Sequence, residues 1–505
     1  MFAQVYGSNT QGINGALITV EADIANGIPA FDIVGLADAS VRESKERVRS
    51  AIKNTGFEFP GRRITVNLAP ADIKKGSPGL DLPIAVAILA ASGQLSGEKY
   101  KEYVFAAELS LEGRLREITG ILPMSINCLE SDLRQMMVAK ENAQEALLAG
   151  NLNIYAPQDL QETIAHLEGT APLEAAVKNK KPRKTTNLED FADVQGQFVA
   201  KRALEIAAAG SHNVLMSGPP GSGKTMLARR IPSILPAMTA PEALETTKIY
   251  SIAGLLKANA GLITDRPFRS PHHTVSDAGM VGGGRIPRPG EVTLSHNGVL
   301  FLDELPEFPR LVLEALRQPL EDGEINISRI NASFCFPAKI MLVAAMNPCP
   351  CGRNNDGTAK CSCTEIEIKR YHKKISGPLL DRIDLTIFVP RLEYTDITSK
   401  TQEETSASIK KRVEAARQIQ INRLQTWGIT ANSQMSHKHI KELCLLSPDS
   451  QKLLEQAFTK MNLSARAYDR IIKVAQTIAD LEAAPHIGSA HIAEAIQFRN
   501  DVIRP

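Results

Sequence analysis

No hydrophobic run in the sequence is long enough to cross a membrane. The longest, Leu82 to Ala91, has ten residues, and a span needs about 20. Lys and Arg are missing from the first 41 residues, so the charged n-region of a secretory signal is not there. An excess of one charge is missing too: 58 basic side chains face 56 acidic ones, for a total of +2. That excludes a uniformly basic coat but not a local basic surface. Cysteine is scarce, seven in 505 residues. With no export signal, so few cysteines argue against a disulfide framework. A cytoplasmic protein with no membrane partner is expected.

What remains is an ordinary soluble mix, 43% hydrophobic and 23% charged, long enough for two to four domains. Residues 1–168 alternate strand-like runs (Ala16–Val20, Ile64–Leu68, Tyr103–Ala107) with helix-like ones, the pattern of an α/β domain. Ser40 to Glu43 reads as a capping box for a helix that stops near Gly56. Residues 169–187 lose periodicity. Their run Lys178, Lys180, Lys181, Arg183 and Lys184 beside two prolines reads as a solvated linker or a nucleic-acid contact. Residues 188–390 hold most of the recognisable chemistry. Residues 391–505 are helical in pattern, with Ile471, Ile472, Val474, Ala475, Ile478 and Leu481 at helical spacing.

Asn213 to Ser217 is a short apolar strand, and Met226 to Ile231 starts a helix. Between them stand Gly218, Pro219, Pro220, Gly221, Ser222, Gly223, Lys224 and Thr225. Strand, glycine-rich loop and helix in that order make a phosphate-binding loop. Its glycines let backbone N–H groups turn inward around phosphates. Lys224 supplies a charge to the β and γ phosphates of ATP, and Thr225 a hydroxyl to Mg²⁺. A second apolar strand, Val299 to Leu302, ends in Asp303 and Glu304. Asp303 suits the Mg²⁺ shell, and Glu304 suits the polarisation of an attacking water. A third strand, Ile340 to Ala345, ends near Asn347, which can orient that water.

Thr225 and Asp303 are 78 positions apart, which leaves room for an insert at 236–295. The insert is rich in Gly and Pro and carries Arg266, Arg269, His272, His273, Arg285 and Arg288; between Arg266 and Gly290 the only acid is Asp277. These arginines are candidates for a phosphate backbone; the alternative is a structural loop packed on a neighbour. The His pair has no third ligand nearby and reads as hydrogen-bonded structure. Ile325–Arg329 and Ser333–Phe336 alternate like a hairpin, with Arg329 near its turn as a further DNA candidate. Cys349, Cys351, Cys361 and Cys363 fall within fifteen residues. Two C-x-C clips suit tetrahedral Zn²⁺, although the usual clip is C-x₂₋₄-C. The alternative is four reduced thiols.

The order of these motifs resembles that of the AAA+ ATPases, whose sites lie between subunits. Gly377 to Asp384 resembles their arginine-finger segment, which makes Arg382 the finger. Ser464-Ala465-Arg466 resembles the second sensor of their helical lid, so Arg466 is expected to reach the γ-phosphate of its own chain. The phosphate loop, the Arg266–Gly290 stretch, Asn347-Pro348-Cys349, Gly377–Asp384 and Ser464–Leu481 together resemble the magnesium-chelatase-like AAA+ ATPases of the YifB/ComM group. The cysteine clips and the first region point to that group rather than to the chelatase subunit. The resemblance implies a homo-hexameric, ATP-driven DNA helicase that promotes branch migration in natural transformation. Single-stranded and branched DNA, with recombinase or loader proteins, are the partners it implies. A chelatase-type remodelling ATPase acting on a protein partner is the alternative.

Residues 1–168 resemble the Lon protease domain fold (S5 domain 2-like), where a Ser–Lys pair does the chemistry. Aligning Asp81–Leu89 with that family's helix puts Gly79 at the serine position. No lysine occurs between Lys101 and Lys140, and Leu122 or a neighbour stands where the partner belongs. Ser77 is close to Gly79 but has no lysine in that segment to activate it. A non-proteolytic scaffold is expected, followed by a P-loop AAA+ core and a helical lid.

Overall fold

The computed structural model describes residues 1–36, 38–179, 189–257, 261–284, 287–329, 332–354, 361–392, 403–461 and 463–499. The basic run at 180–184, Arg285 and the final residues 500–505 lie outside these. For Arg329 the backbone is described and the side chain is not.

The first region is built on a seven-stranded mixed sheet. Strands β1 (Phe2–Gln11) and β2 (Asn14–Ala25) form a long antiparallel hairpin with Gln11 opposite Asn14. Burial alternates along β2 and along β1 as far as Gly7, which leaves one apolar face for helices to cover. β3 (Ala30–Val34) and β4 (Arg63–Ala69) extend the sheet beyond β2. β5 (Tyr103–Ala106), β6 (Gln135–Val138) and β7 (Asn153–Tyr155) extend it in parallel beyond β1. Helix α1 (Ala39–Asn54) opens two residues before the expected start, and Asp38 accepts the N–H of Val41; the side chain of Ser40 lies outside the described ones. It ends before Gly56, whose φ is +87°. Helix α2 (Asp81–Ala91) is apolar all round and buried along nearly its whole length. Its one charge, Asp81, is held by a two-bond contact with Arg47 at 2.7 and 3.2 Å. Residues past 168 remain packed on this region: Ala176 donates to Ile154 and Asn179 to Gln144. The linker therefore starts later than periodicity suggested.

The second region holds a five-stranded parallel sheet. Its strands are β8 (Val214–Ser217), β9 (Phe268–Arg269), β10 (Val299–Leu302), β11 (Met341–Met346) and β12 (Leu385–Phe388), in spatial order β9-β10-β11-β8-β12. β8, β10 and β11 are buried at every position, as parallel strands covered on both faces must be. The sequence order reverses around β8, and ligands of such sheets sit at the carboxyl ends of strands at that switch.

The lid shares a core with this sheet. Ile409, Val413, Ile471, Val474, Ile478 and Ile492 join one cluster with Val214, Leu227 and Leu385. A polar bond fixes the same contact, His212 to Thr477 at 2.8 Å, and Arg423 to Asp480 at 2.7 Å ties two lid helices together. The insert is not all loop. Its helix α3 (Ala240–Ile252) starts with a Thr239–Glu242 capping box and docks on the first region. Gly120 donates to Ser251, Ser251 to Glu145 at 2.6 Å, and Lys248 to Asn14 at 2.8 Å.

Candidate nucleotide site

β8 delivers the phosphate loop to the carboxyl edge of the sheet. Gly221 and Gly223 take φ of +79° and +90°, a left-handed backbone that favours glycine. Gly218 has no room for a side chain, since a Cβ there would stand 2.2 Å from the Val389 carbonyl oxygen. The helix Lys224–Ile234 follows, so its free N–H groups face the loop.

Four of the expected residues meet here. Lys224 donates to the carbonyls of Gly218 and Pro219 at 2.7 and 2.9 Å, and its Nζ lies 3.5 Å from Asn347 Oδ1. Burial pushes the Lys224 ammonium below its ordinary range, and the Asp303 charge partly offsets this. Thr225 Oγ1 donates to Asp303 Oδ2 at 2.7 Å. That hydroxyl–carboxylate pair is a hard oxygen set of the kind Mg²⁺ takes, with nucleotide phosphates and water completing its shell. Glu304 is exposed on the next residue and has φ of +53°, a strained setting of the kind found at functional sites.

His273 is the neighbour that sequence reading missed. Its Nδ1 lies 3.5 Å from Glu304 Oε2. The loop after β9 carries it there, and its ring packs on Phe308 and on His272. Adjacency of β9 and β10 in the sheet is the only signal that pairs the two residues.

The two arginines lie elsewhere. Arg382 donates to its own helical turn at Pro378 and pairs with Glu321. Arg466 reaches the same carboxylate at 3.8 Å. Both line a cleft with Asn213, Ile340 and Met341, at the starts of β8 and β11. The phosphate loop leaves the other end of β8. Arg466 is thus grouped with Arg382 and not with Lys224 of its own chain, contrary to the expected same-chain reach. Burial, and then Arg466, Arg317 and Arg470, hold Arg382 below the ordinary guanidinium range. Next to it, buried Asp384 accepts from Arg470 at 2.6 Å and from the N–H of Asn213 at 3.0 Å.

The insert arginines divide. Arg266 donates to Pro236, Asn297 and Glu242 and clamps the start of α3. Arg269 makes two 2.7 Å bonds to Glu291. Both are committed inside the fold, so neither has the free charge expected of a DNA contact. Glu291 lies one position past the stretch in which Asp277 was the only acid, and Glu242 lies 24 positions before Arg266. Arg288 is exposed. The hairpin forms as expected, Glu324–Arg329 against Ala332–Pro337. Ile325, Ile327 and Phe336 face the core.

The four cysteines converge, with all four sulfurs within 4.8 Å of one another. Their loop starts two residues after Asn347 and lies on the phosphate loop. Gly352, with φ of +76°, sits so close that a Cβ would stand 2.7 Å from Pro220 Cδ.

In the first region Gly79 is buried, and a Cβ there would stand 2.4 Å from Ile118 Cδ1. Ser77 Oγ accepts the N–H of Gly79 as a helix cap. The nearest lysine in sequence, Lys75, is buried and donates to the Pro70 carbonyl. Among the described residues no helix is long and apolar enough to cross a membrane.

Known proteins match the chain over nearly its whole length. The family described as magnesium chelatase, subunit ChlI, matches residues 190–397, and its C-terminal part matches 403–499. A further description, subunit ChlI of Mg-chelatase, matches 20–142. Competence protein ComM of Haemophilus influenzae is 46% identical over 502 residues, 98% of this chain and 97% of that one. YifB of Salmonella typhimurium is 44% identical over 494 residues, 97% and 95% of the two chains. Lon protease 2 of Bacillus subtilis is 25% identical over 310 residues, 53% and 55% of the two.

Proposed function

The chain belongs to the magnesium-chelatase-like AAA+ family that includes ComM and YifB, and on that premise we propose that it is an ATP-hydrolysing ring motor acting on DNA. The family implies an ATPase that uses ATP and Mg²⁺. Lys224 and the loop Gly218–Gly223 hold the phosphates, and Thr225 and Asp303 hold Mg²⁺. Glu304 polarises the attacking water, and Asn347 orients it. One observation carries the reading of a shared site: Lys224 and Arg382 lie at opposite ends of β8 in one chain. A complete site then takes Lys224 from one subunit and Arg382, with Arg466, from the next. A closed ring of six satisfies every such site.

The DNA half of the reading draws on the relative named for competence. Branch migration of recombination intermediates during natural transformation is the activity we assign. Arg285, Arg288 and Arg329 are its remaining candidates for the phosphate backbone. A recombinase or a loader fits as a protein partner. The cytoplasm is the compartment where this work would occur. The first region serves as a non-proteolytic scaffold, a role supported by the closed space at Gly79 and by the capping bond of Ser77.

A second reading has an observation in its favour. Arg266 and Arg269 are tied to Glu242 and Glu291, which lowers the positive charge open to DNA. A remodelling ATPase acting on a protein partner needs no such charge. The test is purified protein with ATP and Mg²⁺ on forked DNA and on a three-stranded junction. ATP-dependent unwinding and junction migration support the motor. ATP hydrolysis without DNA binding at low salt supports remodelling.

A further inference from the structure

Cys349, Cys351, Cys361 and Cys363 take no part in the chemistry assigned to the nucleotide site, yet the fold gathers them. The sulfur of Cys349 lies 3.4 Å from that of Cys351 and 3.7 Å from that of Cys361. Cys351 and Cys361 are 3.6 Å apart. All four are free thiols. Four thiolates around one ion with Zn–S bonds of about 2.3 Å stand about 3.8 Å apart along each tetrahedral edge. These separations match that edge and are far longer than a disulfide of about 2.05 Å. A [4Fe–4S] cluster places each thiolate on its own iron and a [2Fe–2S] cluster divides them two and two, so neither keeps all four sulfurs within 4.8 Å of one another.

The surroundings fit a metal centre. Asn354 donates its N–H to Cys349 Sγ at 3.3 Å, and such bonds fix the orientation of a ligating sulfur. His372 donates to the Pro348 carbonyl at 3.0 Å and ties the root of the loop to the following helix. Cys349 is buried, and the other three are partly exposed, which leaves a path for an ion. Soft thiolates select Zn²⁺ over Mg²⁺, so the two metals would not compete for either site.

The loop also touches the nucleotide site twice. Gly352 lies inside the first clip's turn and packs against Pro220 of the phosphate loop. Asn347, two residues before Cys349, lies 3.5 Å from Lys224 Nζ. A loop tied at four points by one ion holds both contacts in place.

We propose that the four cysteines bind one Zn²⁺ and that this ion braces the phosphate loop and Asn347 from the side. The ion does no chemistry on ATP. Its loss loosens the loop through Gly352 and Pro220 and weakens nucleotide binding. The bracing half rests on Gly218–Thr225 being the nucleotide loop; the metal half does not.

The experiment uses the full chain, purified under reducing conditions. Metal content is measured first, followed by titration of chelator-stripped protein with Co²⁺. One Zn per chain is expected, with one Co²⁺ taken up to give sulfur-to-cobalt charge transfer and tetrahedral d–d bands. Under 0.2 Zn per chain (a threshold of about one site in five) with no such Co²⁺ spectrum overturns the metal half, and iron in place of zinc overturns the zinc assignment. Binding of a fluorescent ATP analogue is then compared in native, stripped and Zn²⁺-reloaded protein. Stripping is expected to weaken it about tenfold and reloading to restore it. Gly352→Ala should keep the zinc and weaken nucleotide binding. Unchanged binding on stripping overturns the brace. Lys224→Ala separates the two readings: it should keep zinc and lose nucleotide. Retained nucleotide binding in that variant removes the nucleotide reading and leaves the zinc result standing.

Discussion

Arg382 and Arg466 converge on one carboxylate, that of Glu321, at the edge of the sheet remote from Lys224 of the same chain. Arg382 comes from the end of the sheet domain and Arg466 from the lid. Their meeting makes them one cationic unit. Arg382 Nε is buried and has no hydrogen-bond partner among the described residues.

The first prediction concerns that unit. Arg382→Ala and Arg466→Ala should each lower ATP turnover steeply, by about 10³-fold for a group that acts as an arginine finger. Nucleotide binding should change far less, because the phosphate loop and Mg²⁺ ligands are intact. Steady-state hydrolysis and analogue binding on the same samples check this. A variant that loses binding and turnover together would point to a same-chain contact.

Glu304 and His273 give the second. Their contact crosses from the loop after β9 to the end of β10. Glu304→Gln should retain ATP binding and stop hydrolysis, trapping the nucleotide. His273→Ala should cut turnover about tenfold by freeing the carboxylate, within the range of general-base catalysis. His273→Asn places an amide where Nδ1 stands and should restore most of that loss. Equal turnover in the Ala and Asn variants would mean that the contact does not position Glu304.

Much of this site was readable, and the reason is local. The phosphate loop, Asp303, Glu304 and Asn347 each sit at the end of an apolar strand, and a strand followed by a particular turn is a short-range pattern. The failures were long-range. Glu321 is 145 positions from Arg466 (466 − 321), and no spacing rule joins them. Arg266 and Arg269 looked unopposed because Glu291 falls one position past the stretch considered and Glu242 falls 24 positions before Arg266. The lid read as separate because its helices are amphipathic, but their apolar faces share the core of the sheet. Helix α3 has no glycine and one proline, and it lies ahead of the Gly- and Pro-rich stretch Arg266–Gly290 that made the insert look like loop.

Asp384 gives a stability prediction. Burial opposes its charge, but Arg470, His212 and the N–H of Asn213 outweigh burial and hold the carboxyl well below the usual range. A carboxyl depressed in the fold stabilises it at pH values above the unfolded pKa of about 3.9. That stability is lost as pH falls from there towards the folded value. Asp384→Asn should cost about 3 kcal/mol at neutral pH, the lower end for breaking a buried pair. The difference from the unaltered chain should shrink in acid, below about pH 4. Denaturant melts at pH 7 and in acid measure it.

DNA binding gives the fourth. Arg288→Ala should weaken binding and reduce the slope of log K against log salt by about one phosphate contact. Arg269→Ala should leave that slope unchanged and lower the melting temperature, since Arg269 is held by Glu291. A reduced slope for Arg269→Ala would show that its ion pair opens for DNA.

The shared site is the centre of this account, and mixed assemblies test it most directly. Lys224→Ala and Arg382→Ala are each purified and assayed alone, then mixed in equal amounts under conditions that exchange subunits. Each alone should be inactive. The mixture should recover a clear fraction of ATP turnover, because some interfaces then pair an intact Lys224 with an intact Arg382 from the neighbour. A mixture that stays inactive, with both variants shown to enter the same rings, would contradict the shared site.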